Sequence, residues 1–201
     1  MAPAPYIAVT DLAWFDFLAA MGDKRGLVDE VNFWNPSGRP LKGFHPGEPV
    51  FLRLKQPRNA ISGYGFFAHF TALRLDEAWA CFGEKNGAAS LPALSAAIGR
   101  YRPEDGASLL RDPPVIGCTI LRDAVLWRPD RWIPWGPKQG WHPSQMRGAT
   151  ERDPDRAQRL LAEIVQDHQR PPQELVEPFR VREVDRRKIV ESQTVRREGQ
   201  G

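Results

Sequence analysis

The residues of this chain best suited to chemistry are aromatic rings and amides set beside turns. In DEVNFWNPSGRP, residues 29–40, an alternating stretch runs into the turn-forming tetrapeptide NPSG. On a strand, Asn32 and Trp34 share one face while Val31 and Phe33 share the other. If Val31 and Phe33 face the core, Asn32 and Trp34 face outward, and Asn35 and Ser37 add an amide and a hydroxyl nearby. Tyr64, Phe66, Phe67 and His69 make a second group, and Trp135 and Trp141, in a long loop rich in Trp, Pro and Gly, a third. Flat bases stack on such rings, at about 1–3 kcal/mol per base by alanine substitution. Amides, hydroxyls and backbone groups can read a base edge, so the set amounts to equipment for holding an extruded base. Arg39, Lys42, Lys55, Arg58, Lys138 and Arg147 lie in or beside the same segments and are candidates for phosphate contact.

Each piece also has a packing explanation. Phe66 and Phe67 fall on opposite faces of one strand, so at least one belongs to the core. Trp14 and Trp79 recur at helical spacing with apolar neighbours and read as core. Other chemistries lack their residues. The four histidines, His45, His69, His142 and His168, are scattered without a second ligand at metal-binding spacing. There is no G-x-S-x-G elbow and no Gly-rich phosphate loop. The acids nearest the key segments, Glu48, Asp76 and Glu77, read as turn and helix-cap residues rather than as a convergent acid–base set.

The elements that must position these groups alternate irregularly. PYIAVT reads as a strand, and LAWFDFLAAMG as a helix preceded by cap chemistry at Thr10 and Asp11 and stopped at Gly22. Strands follow in EVNFW and GEPVFLRLK, then in AISGYGFFAHFTAL, where Gly63 and Gly65 suggest a bulge or a close backbone approach. DEAWACFG and SLPALSAAIGRYR read as helices, the second capped by Ser90. VIGCTIL and AVLW return to strand character, and DPDRAQRLLAEIVQDH closes the series as a helix capped by Asp153. The implied class is α+β, a small and mostly antiparallel barrel with inserted and flanking helices.

The chain has 201 residues, a net charge of +3 and a pI near 9.1, which permits a polyanionic partner without requiring one. No apolar run approaches the roughly 18 residues of a membrane span, and the first residues lack the pattern of a signal peptide. Cys81 and Cys118 are too few and too far apart for a disulfide framework or a zinc cluster, and read as reduced residues of a cytoplasmic protein. Residues 1–170 read as one domain, and 171–201 as a charged linker with the chain continuing beyond it.

Taken together, YIAVTDLAWFDFL, EVNFWNPSGRP, GEPVFLRLKQPRNAISGYGFFAHF, AWACFGEKNGAASL and IGCTIL resemble the N-terminal region of a bacterial family of modification-dependent restriction enzymes. Its members join a PUA-superfamily module, related to EVE and SRA domains, to a C-terminal HNH endonuclease domain. The resemblance implies recognition of a modified base, a 5-substituted cytosine foremost, in double-stranded DNA. It places Asn32, Trp34, Asn35, Ser37, Tyr64 and Phe66 in the base pocket; Trp141, from its place in the aromatic loop, reads as a further loop contact. It implies no cofactor and no catalysis within these residues; a divalent metal, and a possible homodimer contact, would belong to the nuclease domain. Gly47, Glu48 and Pro49 stand where EVE domains commonly show Gly-Asp. Two other readings use the same pocket: a PUA-like RNA-binding module, and a stand-alone enzyme acting on nucleotides.

Overall fold

The computed structural model describes residues 4–23, 26–40, 45–103, 109–142 and 145–168. The expected linker and Lys42 lie outside these residues. Among the described residues, seven strands form one mixed sheet. In chain order the elements are β1 (Tyr6–Thr10), α1 (Leu12–Met21), β2 (Leu27–Asn35), β3 (Pro49–Leu54), β4 (Ala60–Arg74), α2 (Leu75–Phe82), α3 (Leu91–Gly99), β5 (Val115–Leu126), β6 (Ile133–Pro134), β7 (Ala149–Thr150) and α4 (Pro154–His168). The strand order is β2-β5-β4-β3-β1-β7, with β6 pairing to β4. β1 runs parallel to β3, and the other pairings are antiparallel.

Among the described residues the expected barrel is therefore an open sheet. Closure would require β2 to hydrogen-bond to the far end of the order, and that end is β7, a strand of only two residues. The α+β class and the positions of the main strands and helices agree with the sequence reading.

Helix ends follow local chemistry. Ser90 Oγ accepts the Ala93 N–H at 3.3 Å to start α3, and Asp153 Oδ1 accepts the Arg156 N–H at 2.9 Å to start α4. At α2 the cap comes from the acid inside the first turn: Glu77 Oε2 accepts the Arg74 N–H at 3.0 Å. Glu48 Oε2 likewise accepts the His45 N–H at 2.7 Å, within the turn before β3. These acids build turns, as their positions in the sequence suggested.

Packing on both sheet faces explains why β3 is buried along its whole length. Val50, Leu52 and Leu54 join α1 and β2 in one core, with Trp14, Phe15, Leu18 and Val31. Phe51 joins a second core of Tyr64, Phe66, Trp127, Trp135 and Trp141 under α4. A third core lies between the sheet and α2 and α3, around Leu75, Leu94, Ile98 and Ile120. Two of the cores thus cover the two faces of β3, and alternation selects which core each side chain enters rather than core or solvent.

Gly63 sits where β4 is crowded against β5: a methyl group there would overlap the Val125 carbonyl oxygen. The β4–β5 register shifts just beyond it, between Tyr64 and Phe66, so the glycine pair does mark a close approach and an irregularity. Gly63→Ala is expected to destabilise the fold by about 1–3 kcal/mol through overpacking, read as a lower urea midpoint with an unchanged slope.

Candidate functional site

A cleft of about 900 Å³ takes its walls from both ends of the strand order. One wall comes from β1, the start of α1 and residues 146–150 and 152; the other comes from the end of β2 and the turn after it, with Lys55 and Tyr101 added. The seam that a closed barrel would have zipped is the opening.

Trp34 lines this cleft, and its orientation has a clear origin. Its indole N–H donates to the Asn86 carbonyl at 3.0 Å. Asn86 is wholly buried, and its amide donates to the carbonyls of Ala78 (3.2 Å) and Gly83 (2.7 Å). The Asn86 side-chain oxygen in turn accepts from the Asn32 amide at 2.8 Å. Lys85 pins the same turn to β2 through Asp29 at 3.2 Å and Glu30 at 3.6 Å. Gly87, at φ +73°, ends the turn directly against the Trp14 indole, where no side chain would fit. One turn between α2 and α3 thus covers the Asn32 face of β2 and clamps Trp34 by its edge.

Asn32 was expected to face outward, yet it is wholly buried and does not line the cleft. The 83–87 turn lies over it, and its polar side chain belongs to the clamp. Beside it, burial pushes the Cys118 thiol up to about 12, against a smaller opposing effect of the Asn32 side chain. That thiol stays protonated. Asn35 and Ser37 do line the cleft, but their polar groups mostly shape its rim. Asn35 Oδ1 accepts from the Ser37 hydroxyl at 2.8 Å, and the Asn35 amide donates to the Arg39 carbonyl at 3.0 Å. Arg102 ties the rim to the end of α3 through the Pro36 carbonyl, at 3.3 Å.

Tyr64, Phe66 and Trp141 depart from expectation in the same way as Asn32. Tyr64 and Phe66 are packed in the core under α4, ring against ring at 5.8 Å. The Tyr64 hydroxyl faces Asp167 of α4, and burial first, then that carboxylate, raises it far above the ordinary phenol range. Asp167 also accepts the Trp127 N–H at 2.8 Å and pairs with Arg131 at 2.7 Å, which docks α4 on this face. Trp141 is buried over the guanidinium of Arg53, 5.0 Å from its ring centre. Of the expected phosphate contacts, Arg39 and Arg147 lie at the cleft, whereas Lys138 is exposed elsewhere and Arg58 stacks on Trp132 at 5.9 Å.

Lys55 turns into the cleft instead of outward, because two partners hold it there. Its ammonium donates to Asp11 Oδ1 and to the Tyr101 hydroxyl, both at 2.6 Å, and Tyr101 donates to the other Asp11 oxygen. Three segments far apart in the chain meet in this triad. Asp11 and Tyr101 escaped the sequence reading, which took one as a cap and placed the other within the helical segment SLPALSAAIGRYR; no local signal links them.

The charges of the cleft are lopsided. Asp11 is its one acid among the described residues, and Lys55 neutralises it. Arg39, Arg147 and Arg152 also line it, all three exposed and none paired to an acid among the described residues. Among the described residues no group of three or more His, Cys, Asp or Glu is placed to hold a metal ion, and no helix is long and apolar enough to cross a membrane.

Against known proteins, no family model and no curated protein matches this chain. Solved structures do. ASCH from Zymomonas mobilis superposes with a TM-score of 0.51 at 12% identity, over 79% of this chain and 94% of that one. A single-residue variant of the same protein gives 0.52 at 10% identity, over 81% and 97%. At such identities the likeness concerns the fold alone. The fold is similar to that of ASCH from Zymomonas mobilis.

Two consequences are measurable. Asn86→Ala strands the Asn32 amide and two buried carbonyls, and is expected to cost about 2–3 kcal/mol in urea unfolding. The second concerns pH. Burial alone pulls the Lys55 ammonium down, but its bonds to Asp11 and Tyr101 outweigh this and leave it above the ordinary lysine value of 10.5. Burial, then the bond to Asp11, lifts Tyr101 above the usual 10.0, with Lys55 opposing. Groups with raised folded pKa values stabilise below their unfolded pKa and lose that contribution as pH rises through the folded one. The wild type is therefore expected to lose melting temperature above about pH 10, and Tyr101→Phe to lose less over the same interval. Identical pH profiles would show that the Tyr101 proton is not linked to folding.

Proposed function

We propose that this chain is a nucleic-acid-binding module that takes an extruded base, a modified cytosine of duplex DNA, into the cleft beside Trp34. The observation that carries this is the charge and lining of the cleft. Four cations and one acid surround walls made partly of Phe33, Trp34 and Tyr101. Unpaired arginines at a rim suit phosphates, whose neutralisation releases counterions. An aromatic wall between them suits a base. The PUA-like fold is compatible with this role, and the resemblance of the sequence blocks to modification-dependent restriction enzymes supplies the modified base as ligand. In this reading the chain acts as a reader, not as a catalyst, and directs an HNH-type nuclease to modified DNA.

The experiment is fluorescence anisotropy on one duplex carrying cytosine, 5-methylcytosine or 5-hydroxymethylcytosine, over a salt series. Tighter binding to one modified duplex is the expected result. Arg147→Ala is expected to weaken all duplexes alike and to reduce the log–log salt slope by about 1. Trp34→Ala is expected to weaken the modified duplex by about 1–3 kcal/mol and the unmodified one much less. Equal losses on both would remove Trp34 from base contact. Preference for structured RNA over every duplex would replace the DNA reading with the RNA one.

A further inference from the structure

The triad of Asp11, Lys55 and Tyr101 has unused hydrogen-bonding capacity, and counting it indicates what it can bind. An ammonium has three N–H groups, and each carboxylate oxygen accepts more than one bond. Lys55 uses two of its donors within the triad, and each Asp11 oxygen accepts one bond there. One lysine donor and lone pairs on both Asp11 oxygens are left over. Both side chains line the cleft and are about a quarter exposed, at 23% and 25%. The cleft therefore presents a donor and an acceptor side by side, with Tyr101 holding them in place.

The charge state limits the ligand. Lys55 and Tyr101 both hold their protons through the neutral range, so neither is free to abstract one. The pair Lys55–Asp11 is neutral as a unit and gives no net attraction to phosphate, in contrast to Arg39, Arg147 and Arg152 at the exposed rim. A neutral ligand presenting an acceptor next to a donor complements the pair. On a nucleobase that pattern is the Watson–Crick edge; for cytosine it is N3 beside the N4 amino group.

We propose that Asp11 and Lys55, positioned by Tyr101, read the Watson–Crick edge of an unpaired nucleobase whose ring lies along Trp34. This rests on the nucleic-acid reading above and deepens it. Two consequences follow from the geometry. The base must be unpaired to reach the triad, and any modification that the cleft accepts lies away from the Watson–Crick edge, as at C5 of a pyrimidine. Lys55 is then a specificity residue and not a backbone contact.

The test uses the full 201-residue chain and labelled oligonucleotides, single-stranded and duplex, with one central cytosine, 5-methylcytosine or N4,N4-dimethylcytosine at fixed salt. The dimethyl base lacks both amino hydrogens, so it cannot donate to Asp11. It also pairs poorly, which eases extrusion in a duplex and biases the comparison against the proposal. The wild type is expected to bind the dimethyl base at least about tenfold more weakly than 5-methylcytosine, with the same salt slope. Asp11→Ala is expected to abolish that discrimination, Tyr101→Phe to reduce it and Lys55→Met to weaken both bases alike, while salt-dependent affinity for nucleic acid persists. Equal binding of the dimethyl and 5-methyl bases by the wild type overturns the edge-reading role even if a variant fails to fold. Folded Asp11→Ala protein that keeps the discrimination, or Lys55→Met protein that binds both bases as the wild type does, also overturns it and leaves the triad as a brace. Absence of salt-dependent binding to any oligonucleotide would overturn the underlying reading as well, which separates the two failures.

Discussion

The site depends on one ion pair between the ends of two neighbouring strands, tied to the segment after α3. Asp11 follows β1, Lys55 follows β3 and Tyr101 follows α3, and no covalent or sheet pairing joins the third to the first two. Exposed pairs of this kind contribute about 0–1 kcal/mol. This one is largely withdrawn from water, and each partner is held by a second hydrogen bond, which offsets the cost of removing charges from solvent. Without it the cleft would hold an unpaired carboxylate beside an aromatic wall. With it, the interior of the cleft is electrically neutral and its only uncompensated charges stand at the rim.

That separation organises the chemistry. A cleft with its cations buried would attract phosphate into the place where a base must stack. Here the cations are exposed arginines, free to follow a backbone, and the partly buried polar groups face each other. The aromatic wall is set with comparable firmness, since the Trp34 indole is fixed by the carbonyl of a buried Asn86 that is itself hydrogen-bonded on every side-chain polar atom. A rigid wall loses little conformational entropy on binding, which favours recognition of a flat ligand.

Much of the architecture was legible in the chain. The helix caps at Ser90 and Asp153, the glycine pair in β4 and the alternation of β3 are local signals, set by backbone chemistry within a few residues. The pocket was legible only in part. Trp34, Asn35, Ser37, Arg39 and Arg147 meet at the cleft as their loops suggested. Tyr64, Phe66 and Trp141 carry the same residue types beside similar turns, yet they are core, because α4 packs over that face of the sheet and Asp167 anchors it there. Aromatic residues beside loops are ambiguous for this reason: the burial of Tyr64 and Phe66 depends on an element that begins only at Pro154.

By itself the sequence determined the α+β class, the positions of the long strands and helices, and the absence of nucleophile, metal and phosphate-loop motifs. These depend on periodicity and on short-range chemistry, which a chain carries locally. Tertiary structure alone decided that the sheet stays open, that the 83–87 turn buries Asn32, and that Lys55 turns inward to Asp11 and Tyr101. The last two outcomes require contacts between residues 44 to 90 positions apart. Pairing at that range is selected by how whole faces pack, and no spacing in the sequence encodes it.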